Sequence, residues 1–132
     1  MEKAIEYFID GNYLMAMNAF VGTKNKKDKN YTKSLFYLGF CYCHFRQYKE
    51  AELVYTEFFR LTKPHEYEVL FHDEKSHDKM TLGCVYRVLG DVCKSLDRKS
   101  DCRKYYESSL RSLIITGDNI AIEEIKSRLL DI

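Results

Sequence analysis

The side chains in this chain that could hold a metal or act as nucleophiles fall in three places. Cys41-Tyr42-Cys43-His44 sets two thiols and an imidazole, the preferred ligands of zinc, within four residues. On a helix, residues two apart point to nearly opposite sides, so Cys41 and Cys43 would not face one ion and packing is the favoured reading. Cys84, Cys93 and Cys102 stand nine apart, two on one helical run and the third past a hinge. There Cys93 and Cys102 suit buried small residues better than reactive thiols. His65, His72 and His77, with Asp73, Glu74 and Asp78, form the other arrangement whose residue types allow a metal.

No glycine-rich phosphate loop, nucleophile elbow or paired-ligand motif with matching spacing occurs, so neither catalytic residues nor a cofactor or metal is expected. An enzyme would have to use an unrecognised site near His72 and His77. The run Lys24-Asn25-Lys26-Lys27-Asp28-Lys29-Asn30 admits phosphate anchoring, but it lacks the interleaved aromatics that base stacking needs and reads first as a solvated linker.

Composition narrows the elements that must position these residues. At 132 residues the chain suits one domain, 1–132, and with one proline and six glycines it has few breakers, which favours an all-α fold. The net charge of +1 exerts no global pull on nucleic acid or an anionic surface. Five cysteines, an odd number, sit in helical stretches without an N-terminal signal segment. That pattern implies a cytoplasmic, reducing setting. No apolar run approaches the roughly 18–20 residues of a membrane span.

The strongest pattern lies between residues 34 and 61. Two amphipathic runs meet there at the hinge Arg46-Gln47-Tyr48, with small residues at Gly39 and Ala51 and rings at Tyr42, Tyr48 and Tyr55. Small residues let two antiparallel helices approach, and the rings fill the sides. Ala51, Val54, Tyr55 and Phe58 follow the i, i+3, i+4, i+7 spacing of one helix face. The grammar recurs upstream, with Ala4 and Tyr7, a hinge at Gly11-Asn12-Tyr13, then Ala16 and Phe20, displaced by 35 residues. Downstream, Leu89-Gly90, Cys93, Cys102, Tyr106 and Ser109 repeat it at a displacement of 51 around the hinge Leu96-Asp97-Arg98.

Leu38-Gly39, Tyr42, Tyr48, Ala51 and Tyr55 together resemble the tetratricopeptide repeat, whose period is 34. The resemblance covers about residues 1–117, is clearest in the middle repeat, and weakens at Thr23, Cys102 and Ser109, where the usual small alanine is replaced. The division expected is repeat 1 over 1–30, repeat 2 over 31–64, an insertion over 65–75, repeat 3 over 76–117 and a capping helix over 118–132. Pro64 stops the helix before it. The 17 residues beyond the usual period are expected partly to lengthen the first helix of repeat 3, whose apolar series starts at Met80, and partly to form the segment around Pro64. Residues 65–72 read as a short helix or as a loop anchored by Val69, Leu70 and Phe71, the helix being preferred. Gly117 fits a left-handed helix end and Asp118 the cap of the next helix, which presents Ala121, Ile122, Ile125 and Leu129 on one face.

The family resemblance implies a right-handed superhelix of three antiparallel helix pairs and a binding scaffold, whose first helices line a groove for a partner peptide or helix. Its positions here are Ile5, Phe8 and Ile9 in repeat 1, Lys33, Phe36, Tyr37, Phe40, Cys43 and His44 in repeat 2, and Arg87, Asp91 and Lys94 in repeat 3. The competing reading of Phe36 and Phe40 is plain core. The basic clamp by which some family members grip acidic chaperone tails is missing, since Met1, Ile5 and Phe40 occupy its positions. A protein or peptide partner is therefore expected, with a homo-oligomer or larger complex compatible. The alternative is a nucleic-acid-associated module using residues 24–33 and the cluster Arg98, Lys99, Arg103, Lys104.

Overall fold

The computed structural model describes residues 2–26, 31–62, 69–72 and 79–132. Among them are seven helices: α1 Glu2–Ile9, α2 Tyr13–Lys26, α3 Tyr31–His44, α4 Tyr48–Thr62, α5 Leu82–Ser95, α6 Lys99–Thr116 and α7 Asn119–Leu130. The chain is thus all-α in character, with one short antiparallel ribbon, β1 Val69–His72 and β2 Lys79–Thr81. It divides into two compact units, Met1–Lys63 and Pro64–Ile132.

Three helix ends share one local geometry. Gly11, Arg46 and Asp97 have φ of 78°, 59° and 59°. After α3, the Arg46 amide donates to the Cys43 carbonyl at 3.0 Å and the Gln47 amide to the Tyr42 carbonyl at 2.8 Å. The same pair of bonds closes α1, to Phe8 and Tyr7, and α5, to Lys94 and Cys93. This crossed pattern satisfies carbonyls that a helix end leaves orphaned, and it requires a left-handed residue at the turn. Its recurrence at 35 and then 51 residues matches the displacements of the apolar grammar.

Each turn folds the next helix back onto the last. In the first unit α1 packs on α2, α2 on α3 and α3 on α4. Gly39 of α3 lies directly against the ring of Tyr55 on α4, where a Cβ would overlap the ring. Tyr55 is fully buried, and its hydroxyl donates to the Phe36 carbonyl at 3.1 Å. Ala16, Ala51, Val54 and Phe58 are buried alongside, as the periodicity requires, and the Phe20 ring stacks on Tyr37 at 5.0 Å.

The second unit repeats the arrangement. Gly90 of α5 meets the ring of Tyr106 on α6 as Gly39 meets Tyr55, and Leu82, Val85, Val88, Leu89 and Val92 form its buried stripe. The departures from alanine are accommodated. Buried Ser109 donates its hydroxyl to the Gly83 carbonyl at 2.7 Å, and Thr23 donates to its own helix at Ala19. Gly117 adopts φ 80°, and the Asp118 side chain accepts the Ala121 amide at 3.1 Å, capping α7 as anticipated.

Two expectations are corrected. Residues 69–72 are extended and pair with 79–81, with Phe71 opposite Met80 and an irregularity between Val69 and Phe71, so a helix does not run through 65–72. The rest of the expected insertion, 65–68 and 73–75, lies outside the described residues. Nor does the insertion lengthen the first helix of the third pair: α5 starts at Leu82 and, like α3, has 14 residues. Each boundary of α5 is displaced from that of α3 by 51, so the added length falls wholly between α4 and α5. A smaller correction concerns the lysine run, since α2 continues helical through Lys26.

Candidate interaction surface

On the first unit an aromatic group spans three helices. Phe8 of α1 sets its ring edge-on to Tyr13 of α2 at 5.4 Å, to Tyr37 of α3 at 5.0 Å and to Phe40 at 6.1 Å. Tyr13 lies 4.4 Å from the His44 imidazole, centroid to centroid, and His44 meets Phe45 edge-on at 5.1 Å. Edge-to-face geometry places the positive rim of one ring on the negative face of another, and such pairs fix ring orientation beyond simple burial. Phe8, Tyr13 and Phe40 are half-buried, whereas His44 is exposed. Phe45 at 37% and Ile9 at 42% stand further into solvent.

The expected groove residues separate here. Phe36 and Tyr37 are fully buried. They pack against Phe58 and Phe20 respectively, and so fill the interior instead of presenting to a partner. Ile5, Phe8, Lys33, Phe40 and Cys43 are half-buried, and Ile9 and His44 exposed. Tyr13 and Phe45 join this surface without having been expected there. The relevant signal was their place beside the hinges, where a ring ends a first helix or starts a second.

In the second unit two of the three expected residues, Arg87 and Asp91, are already engaged. Arg87 of α5 approaches Glu124 of α7 at 3.8 Å, and Asp91 pairs with Arg128 at 3.2 Å. Arg128 also reaches Glu124 at 3.7 Å, and the Tyr106 hydroxyl donates to Asp91. Burial, then the bond to Asp91 and its charge, push the Tyr106 phenol well above its ordinary value, so the ring stays a neutral donor. Lys94 is exposed. Arg87 and Glu124, like Asp91 and Arg128, are 37 residues apart with opposite charge, a pattern visible only once α7 is read as a further first helix.

The thiols behave as packing groups. No disulfide joins any of the five cysteines. Cys41 is buried, which pushes its thiol up to about 12, and Cys43 is half-buried. Cys93 and Cys102 share one buried cluster with Tyr106, Leu113, Ile122 and Ile125. Among the described residues no group of three His, Cys, Asp or Glu is placed to hold a metal. His72 lies on β1, and the remainder of the His/carboxylate set, His65, Asp73, Glu74, His77 and Asp78, is outside the described residues. Arg98, Lys99, Arg103 and Lys104 are exposed, interspersed with exposed Asp97, Asp101 and Glu107, so their positive potential is diluted. The side chains of 24–30 are outside the described residues.

Among the described residues no helix is long and apolar enough to cross a membrane. No protein-family model matches the chain, and no curated protein matches it.

Proposed function

We propose that the chain is a tetratricopeptide-like interaction module that holds a peptide or helix of a partner protein, and that the first unit makes the principal contact. The half-buried aromatic group of Phe8, Tyr13 and Phe40, bordered by exposed His44, Phe45 and Ile9, carries this reading. Aromatic rings bury large area at little conformational cost, and rings that are partly covered before binding are already oriented, which is what interface anchors require. The three matched turns and the two glycine–tyrosine crossings support the family reading, because they recur at the displacements of the sequence grammar. Cytoplasmic placement and a role as adaptor or complex subunit belong to the same proposal.

Phe40→Ser tests it. The variant is expected to lose partner capture from cell extract, with a binding cost of at least about 2 kcal/mol for a removed anchor. Substituting a lysine of 24–29 should change mainly the salt dependence and rate of encounter. Circular dichroism and urea unfolding in parallel separate lost contact from lost fold. A folded Phe40→Ser chain with unchanged capture, beside a lysine variant that loses it, would move the contact to the charged surface.

A further inference from the structure

α7 ends the second unit on a shallow seat. A helix of 12 residues is too short to persist alone in water, so its helicity depends on its seat. That seat takes two buried side chains, Ile125 at 0% exposure and Ile122 at 9%, into the cluster of Cys93, Cys102, Tyr106 and Leu113, with Ala121, Leu129 and Ile132 partly covered. Elsewhere α7 faces water, with Ile120 at 80% and Leu130 at 86% exposure. What fixes its register is charge: Arg87 and Asp91, one turn apart on α5, meet Glu124 and Arg128, one turn apart on α7. Both pairs are partly exposed, where an ion pair orients more than it stabilises. Few buried apolar contacts and solvated ion pairs are the marks of an element that opens before its neighbours do.

We infer that α7 is a built-in occupant of a helix-binding cleft between α5 and α6, and that it must leave before a partner helix can bind there. The inference rests on the reading of the chain as a helix-binding module and names the partner's chemistry. Among the described residues α7 lies on this cleft, so the complementary ligand carries its pattern: apolar residues where Ile122, Ile125 and Leu129 stand, an acid at the place of Glu124 and a base one turn later at that of Arg128. Detachment needs no break in α6, because Gly117, already left-handed at φ 80°, is a pivot between the two helices. While tethered, α7 competes at the high effective concentration of an intramolecular ligand.

The probe is a fluorescent synthetic peptide of residues 118–132, added to the full chain and to the full chain carrying Ile122→Ser and Ile125→Ser, which loosens α7 and spares the cleft walls. The peptide is expected to bind the loosened chain at least tenfold more tightly. A peptide bearing Glu124→Lys should bind it at least threefold more weakly, and Arg87→Glu in the chain should restore that loss. Equal affinity for the two chains, or indifference to the charge exchange, overturns the inference. Should the loosened chain fail to fold, hydrogen exchange on the natural chain decides. α7 amides exchanging at least tenfold faster than those of α5 support an opening helix, and equal protection refutes it. None of these readouts involves Phe40 or a cellular partner, so they can fail while the proposed function stands, and the reverse.

Discussion

A methyl group added at Gly39 would fall within the Tyr55 ring, and one at Gly90 within the Tyr106 ring. Neither ring can retreat freely, since both are fully buried and their hydroxyls are held, one by the Phe36 carbonyl and one by Asp91. Gly39→Ala and Gly90→Ala are each expected to destabilise by about 2–3 kcal/mol, read from the urea midpoint, although alanine is the better helix former. Gly22 is the control: a Cβ there meets nothing within 4 Å. Gly22→Ala should stabilise by about 0.5–1 kcal/mol. The opposite change is favourable at Arg46, which holds φ 59° where a β-carbon is strained. Arg46→Gly should raise stability by about 0.5–1 kcal/mol, the relief of strain exceeding the added freedom of the unfolded chain. An unchanged thermal midpoint would show that the turn does not bear that strain.

Helices and their faces were legible in the sequence because each carries an apolar stripe of helical period and ends at a recognisable turn. Ala51, Val54, Tyr55 and Phe58 are buried as their spacing demands. Ala51→Leu is expected to cost about 1–3 kcal/mol, because a fully buried position cannot take the added carbons without moving a neighbouring helix; a urea midpoint that stays put would remove Ala51 from the crossing. The ribbon was not legible. Val69-Leu70-Phe71 is too short an apolar run to separate strand from helix by period, and its pairing with Lys79–Thr81 is a non-local contact. Met80 was drawn into the helical stripe by its apolar type, although two residues before Leu82 it falls on the opposite helix face and suits only the period of a strand. The interaction surface was legible in part. Phe40 and Phe8 were separated from buried Phe36 and Tyr37 only by how far neighbouring helices cover each ring, which depends on packing and not on spacing.

At the scale of the whole molecule, the chain's division after Lys63 gives each half a core of its own. In the second half, Leu82, Val85 and Val92 of α5 and Tyr106 and Leu113 of α6 are buried at 2% exposure or less. The fragment 64–132 is therefore expected to give a helical spectrum and a cooperative thermal transition of its own. A featureless melt would show that this half draws its order from the other. The ribbon between α4 and α5 bears on how such a chain can change. Because α5 keeps the length and turn of α3 despite the added residues before it, chain length at this point is decoupled from helical phase. Descendants of the gene could lengthen or shorten the segment while α5 keeps its length and closing turn, which makes it a place where two otherwise similar modules can diverge in specificity.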